Sequence, residues 1–161
     1  MPEADKQYYK ENPKLLRDVS DGQWYSDAVA CLVAAGVITG YEDGTFRGAN
    51  EITRAEFVTI ASRFEELDLS GDMPFSDVPA GHWAYDFVLS AYNYGWTSGY
   101  PDGTFGPNRN INRAEAVTFI NNMMGWSGLT PPEGADVKFT DLTGDEWYYS
   151  QVVLSALGIT P

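Results

Sequence analysis

The sequence has a single cysteine, Cys31, which excludes an intrachain disulfide and any Cys-rich zinc site. Cations are scarce: 10 Lys+Arg stand against 23 Asp+Glu, a formal charge of −13. No Lys occurs between Lys14 and Lys138, and the Arg residues of that stretch are scattered. A nucleic-acid surface needs clustered cations to neutralise phosphates, so none is expected. The longest apolar run, Ala28 to Ile38, falls well short of the ~20 residues that cross a bilayer, so no membrane insertion is expected. The opening Met1-Pro2-Glu3-Ala4-Asp5 lacks the basic and apolar regions of a signal peptide, which fits either a cytoplasmic protein or a piece whose export signal lies elsewhere. What the chain does have is 43% hydrophobic and 14% aromatic residues over 161 positions, enough for a core despite the acidity.

It also repeats itself. Asp18-Val19, Trp24, Gly36, Gly40-Tyr41, Asp43-Gly44-Thr45-Phe46, Ile52 and Arg54-Ala55-Glu56 recur 59 residues later as Asp77-Val78, Trp83, Gly95, Gly99-Tyr100, Asp102-Gly103-Thr104-Phe105, Ile111 and Arg113-Ala114-Glu115. A third copy opens with Asp141-Leu142 and Trp147 and carries neither the Asp-Gly nor the Arg-Ala-Glu element. Two full units and a fragment are present.

Each full unit reads as helix, loop, helix. Trp24, Ala28, Leu32 and Ala35 fall on one face of a first helix that Gly36 ends, and Trp83, Phe87, Ala91 and Gly95 repeat the pattern. Asp43-Gly44 and Asp102-Gly103 read as turns, each followed by an aromatic plug, Phe46 or Phe105. The second helices open on capping boxes, Thr53 with Glu56 and Asn112 with Glu115. Their buried faces are expected to be Phe57, Ile60, Ala61 and Phe64 in the first unit, and Ala116, Phe119, Ile120 and Met123 in the second. Units this small must pack on one another. The organisation expected is an N-terminal extension at 1–15 followed by one cooperative domain at 16–161, built from repeats 16–70, 74–126 and a partial 138–161, with the first helices sharing a core.

Asp-Val-x4-Trp, Gly-Tyr-x-Asp-Gly-Thr-Phe and Ile-Thr-Arg-Ala-Glu, in that order, resemble the S-layer homology (SLH) family over about residues 18 to 158. The resemblance implies an all-α fold: tandem helix-loop-helix repeats packed as a pseudo-threefold, three-pronged spindle around a central three-helix bundle, here with the third prong incomplete. It also implies a secreted, non-catalytic module that anchors a protein to the bacterial cell wall and cell surface, without a cofactor. The implied ligand is an acidic, pyruvylated secondary cell-wall polysaccharide. Two alternatives stay open: peptidoglycan as the ligand, or protein–protein assembly within the S-layer, including self-association that completes the third repeat. The third unit lacks its loop and second helix, so a groove depending on them is expected to be missing.

Arg54 and Arg113 stand at the first position of their helices, where exposed N–H groups and the helix dipole favour anions. A guanidinium there can hold a carboxylate through two hydrogen bonds, so these two are the expected ligand-binding pair; the competing reading is an ordinary ion pair with a nearby acid. Gly40-Tyr41 and Gly99-Tyr100 either line a groove or simply form turns. Trp83 and Trp147, with Trp24, could stack on sugars, but at the head of an apolar stripe they read first as core. Thr53, Glu56, Asn112 and Glu115 read as structural caps. His82, replaced by Gln23 and Glu146 in the other units, reads as a surface residue, and Cys31 as a small packed one. The Asp-Gly turns do not make calcium loops, because Tyr41 and Tyr100 stand where ligand oxygens would be needed.

Overall fold

Among the described residues five helices follow one another: α1 (Ser26–Ala34), α2 (Arg54–Ser62), α3 (Tyr85–Asn93), α4 (Arg113–Met123) and α5 (Tyr149–Leu157). They belong to a computed structural model that describes residues 16–135, 137 and 139–158. The extension expected at 1–15 lies outside the described residues. Among those described there is no strand, only an isolated antiparallel bridge between Thr53 and Asn110. The fold is all-α: α1, α3 and α5 are the first helices of the three repeats, and α2 and α4 are the second helices of the two full ones.

The start signals act as written. Thr53 Oγ1 accepts the Glu56 N–H (3.2 Å) while Glu56 Oε2 accepts the Thr53 N–H (2.8 Å). In α4 the Glu115 N–H donates to Asn112 Oδ1 (2.9 Å) and the Asn112 N–H to Glu115 Oε2 (3.0 Å).

The apolar stripes need correction. Tyr25, Ala84 and Tyr148 are the N-caps of α1, α3 and α5, so each tryptophan sits one residue ahead of its cap, outside the helix. Helical spacing does not apply there, and Trp24, Trp83 and Trp147 are 94, 59 and 67% exposed. The buried positions of α1 are Ser26, Val29 and Ala30, and those of α3 are Val88, Leu89 and Ser90 together with the expected Ala91. Phe64 lies beyond the end of α2 and is exposed; Ile120 is exposed too, while Phe119 and Asn121 are the buried residues of α4.

The residues divide into two compact units that cut across the repeats. The first holds residues 16–51 with Arg63–Glu65. Val19, Val29, Ala30, Val37 and Ile38 are buried in it, and Arg63 Nη1 donates to the Val37 carbonyl (3.0 Å). The second holds Ile52–Ser62 with residues 66–158, so the second helix of the first repeat belongs with the repeats that follow. Its core is Ala55, Val58, Ala61, Phe75, Val78, Ala84, Val88, Ala91, Trp96, Phe105 and Phe119.

In that second unit each second helix packs on the first helix of the next repeat, α2 on α3 and α4 on α5. Corresponding side chains make the link. Ser62 Oγ donates to the Phe87 carbonyl (3.3 Å), and Asn121, 59 positions later, donates through Nδ2 to the Gln151 carbonyl (3.0 Å) and accepts from the Ser155 hydroxyl (2.8 Å). Both are buried, so each polar group has a partner where water cannot supply one.

The loops carry the most regular feature of the repeat. The Thr45 N–H and hydroxyl both donate to Asp43 Oδ1, and Thr104 does the same to Asp102. The chain then passes over the aspartate that opens the repeat: Asp18 accepts the Phe46 and Arg47 N–H groups (2.6 and 2.7 Å), and Asp77 those of Phe105 and Gly106 (both 2.8 Å). Two charge-assisted bonds from one carboxylate pin the end of each loop.

A cleft at the junction of three repeats

Within the second unit a cleft of about 420 Å³ opens beside Arg54. Its wall takes Arg54 and Phe57 from α2, the run Trp96 to Pro101 and Phe105 from the second repeat's loop, the face of α4 bearing Glu115, Phe119 and Asn122, and Trp147 from the third repeat. Three repeats therefore contribute to one concavity.

Arg54 is buried, with 8% of its surface exposed, yet its side chain is only partly used. Nε donates to the Phe105 carbonyl (2.8 Å), and the guanidinium carbon stands 4.7 Å from the Tyr100 ring centre and 4.8 Å from that of Phe105. Nη1 is 3.4 Å from Glu115 Oε1, longer than the ~2.7–2.9 Å of a tight charge-assisted bond. Nη2 has no partner among the described residues. The two rings lie against the guanidinium in cation–π contact, and Arg54 is part of the cleft wall.

Glu115 is held from elsewhere. The Tyr100 hydroxyl donates to its Oε1 (2.7 Å) and the Asn112 N–H to its Oε2 (3.0 Å). Burial pulls its carboxyl up, but the Tyr100 and Asn112 hydrogen bonds and the charges of Arg54 and Arg109 outweigh that and leave it below the usual range. Tyr100 is pushed up, by burial first and then by donating to a carboxylate. Arg109, exposed, stands over the same Tyr100 ring at 4.5 Å.

One expectation fails here in an informative way. The first N–H groups of α2 are not open to an anion: the Arg54 N–H donates to the Arg109 carbonyl (2.8 Å) and the Ala55 N–H to the Pro107 carbonyl (3.0 Å). A loop of the next repeat occupies the helix end, so an anion in the cleft is left with the guanidinium rather than the helix terminus. Arg113 occupies the same motif position in α4, but it is exposed and absent from the cleft wall.

The other expected residues divide. Gly99, Tyr100, Asn112, Glu115 and Trp147 all line the cleft; Gly40, Tyr41, Thr53, Glu56 and Trp83 do not. Gly99 is also structural, since its φ is +68° and a Cβ there would meet the Phe75 ring and stand 2.7 Å from the Thr104 carbonyl oxygen. Tyr41 lies under Arg47, whose guanidinium carbon is 4.0 Å from its ring centre, and Arg47 also pairs with Asp43 (2.9 Å). Trp83 stacks on His82. His82 is more than a surface residue, because its Nδ1 accepts the Ala84 N–H (3.1 Å) ahead of α3. Gln23 and Glu146 make a different contact, each accepting the N–H of the residue three before it, Ser20 and Thr143.

Sequence reasoning missed Trp96 and Phe57. Phe57 lies within α2 and reads from the sequence as part of its buried face, Trp96 follows α3, and only the fold places both in the wall. Among the described residues there is no group of three or more His, Cys, Asp or Glu side chains that could hold a metal ion, and no helix long and apolar enough to cross a membrane.

Comparison with known proteins finds relatives along most of the chain. The chain is 33% identical to Cell surface glycoprotein 1 of Acetivibrio thermocellus over 96% of its own length and 7% of that protein's. It is 33% identical to the Cellulosome-anchoring protein of the same organism over 92% of its length and 34% of that protein's. With the Surface-layer 125 kDa protein of Lysinibacillus sphaericus it shares 38% identity over 71% of its length and 9% of that protein's. The chain thus spans a minor part of each of these relatives. The family model of the S-layer homology domain matches residues 16–58 and 74–117, the two full repeats with their Arg-Ala-Glu motifs, and the chain belongs to that family.

Proposed function

We propose that the chain is a non-catalytic module that attaches a bacterial surface protein to the cell wall, and that the Arg54 cleft is where it takes an acidic sugar of a secondary cell-wall polysaccharide. The reading rests first on family membership and on relatives named for the cell surface, the surface layer and cellulosome anchoring. The observation that carries the ligand class is Arg54: a permanently charged group, braced by two aromatic rings and a carbonyl, with part of its donor edge unused, in the wall of a cleft. A ketal-linked pyruvate offers the carboxylate such a fork accepts.

The cleft's size lies near the lower end of the ~300–1,000 Å³ typical of ligand sites, which suits one or two sugar rings and not a long stretch of polymer. Trp147, largely exposed at the rim, offers a face on which a ring can stack. Arg113 takes no part in this cleft.

Binding to purified walls tests the reading, with the secondary polymer intact, stripped of its acidic substituents, or removed. Retention is expected only on the intact polymer. Equal retention on all three would overturn the polysaccharide reading and leave peptidoglycan or a protein as the partner.

A further inference from the structure

Helix α4 carries the cleft wall well past its charged end. Glu115, Thr118, Phe119 and Asn122 share one helical face and all line the cleft. At a rise of ~1.5 Å per residue, Asn122 stands about 10 Å further along the axis than Glu115. Arg54 and Glu115, the charged side chains of the wall, lie against each other at the first turn of α4 (3.4 Å). Thr118 and Asn122 beyond them are uncharged and share the cleft with the packed rings of Phe57, Phe119 and Trp96.

Two features set this stretch apart from the same positions of the first repeat. The Thr118 hydroxyl oxygen is buried with no hydrogen-bond partner among the described residues. Thr59, its counterpart in α2 and outside the cleft, donates its hydroxyl to the Ala55 carbonyl one turn back (2.8 Å). The corresponding carbonyl for Thr118 is that of Ala114, and the hydroxyl does not take it. Asn122, in turn, stands where the first repeat has Arg63. Arg63 Nη1 donates to the Val37 carbonyl (3.0 Å), and Asn122 Nδ2 donates to the corresponding carbonyl of Trp96 (3.2 Å). A guanidinium has only donors; the amide adds an acceptor oxygen, which has no partner among the described residues.

We propose that Thr118 and Asn122 form an uncharged subsite of the Arg54 cleft that hydrogen-bonds the hydroxyls of a neutral sugar ring adjoining the acidic one. This rests on the cleft binding an acidic sugar as proposed above. A sugar hydroxyl both donates and accepts, which matches an amide oxygen and a hydroxyl one helical turn apart. Threonine in a helix has two open χ1 rotamers. A hydroxyl bonded to nothing loses nothing by turning to a ligand, whereas Thr59 would first have to break its bond to Ala55. A second anion finds no cation at this end of the wall, because the guanidinium of Arg54 lies against Glu115. The cleft therefore reads a pair of rings, one acidic and one neutral.

Glucuronic acid and cellobiouronic acid, the same acid carrying one neutral glucose, are suitable probes. Each is titrated near neutral pH against the whole chain and followed by the indole N–H signals of Trp96 and Trp147. The wild type should bind cellobiouronic acid at least about fivefold more tightly than glucuronic acid, the worth of one or two ordinary hydrogen bonds. Thr118→Val keeps the branched shape and removes only the hydroxyl. It should cut that advantage to less than about twofold without lowering thermal stability, since no hydrogen bond is lost. Thr118→Ser, which keeps the hydroxyl, and Thr59→Val, which alters the matching position outside the cleft, should both retain the advantage. Equal affinity for the two acids in the wild type, an advantage that survives Thr118→Val, or an equal loss in Thr59→Val would overturn the subsite. Arg54→Ala separates the two levels. If it binds both acids as tightly as the wild type, or if the wild type binds neither, the acidic-sugar reading falls and the subsite with it. Binding that depends on Arg54 but gains nothing from the neutral ring removes the subsite alone.

Discussion

Arg54 and Arg113 occupy the same place in the same motif, 59 residues apart, and the fold treats them differently. Arg54 is enclosed by the loop of the following repeat, which covers its helix end with the carbonyls of Pro107 and Arg109 and its guanidinium with Tyr100 and Phe105. Arg113 is covered by no such loop among the described residues and lies exposed. The Arg-Ala-Glu element of one repeat is therefore completed by the Gly-Tyr-x-Asp-Gly-Thr-Phe element of the next. The cleft wall beside Arg54 is thus shared between successive repeats.

The strongest way to break this contrast is to remove the loop that completes Arg54. Gly99→Ala forces a side chain into a positive-φ position already filled by Phe75 and the Thr104 carbonyl, and should cost about 3 kcal/mol or more in chemical denaturation. Next comes the pair of arginines itself. Arg54→Ala should weaken wall binding by at least about tenfold and Arg113→Ala by less than about twofold, with helical circular dichroism kept in both. Equal losses would mean that the exposed arginine has a site of its own. Arg54→Lys should fall between wild type and alanine, since an ammonium lacks the planar fork.

A smaller effect follows from Glu115. Its folded value lies below the ordinary one, so its contribution to stability is fully present above the usual glutamate value of 4.5 and is lost as the pH falls through the lowered value. Acid denaturation should show a loss of at most about 1 kcal/mol that is absent in Glu115→Gln, the group being partly solvated. The smallest concerns Trp24, nearly all exposed: Trp24→Ala should change stability by under about 0.5 kcal/mol.

Features that depend on neighbours in the chain were legible from the sequence. The two capping boxes and the Asp-Gly turns close through residues two to four apart, and all appear as read. The tryptophans were misjudged because a helical wheel was extended past the N-cap, where the backbone no longer turns by 100° per residue. The anion-binding helix end was misjudged for a longer-range reason: the carbonyls that fill it come from Pro107 and Arg109, more than fifty residues away. The opening Asp of each repeat marked the period without showing its task, since its N–H partners lie 28 and 29 residues on. Arg47 shows how much two copies can diverge. It holds a φ of +59° where the second repeat has Gly106 at +71°, a conformation that costs an arginine more than a glycine.

The handclasp of Ser62 with Phe87, repeated by Asn121 with Gln151, has a consequence for how such chains change over generations. Because each repeat grips its successor in the same register, a whole period can be duplicated or deleted in a gene while every internal joint is rebuilt unaltered, and copy number becomes a quantity that selection can adjust one step at a time.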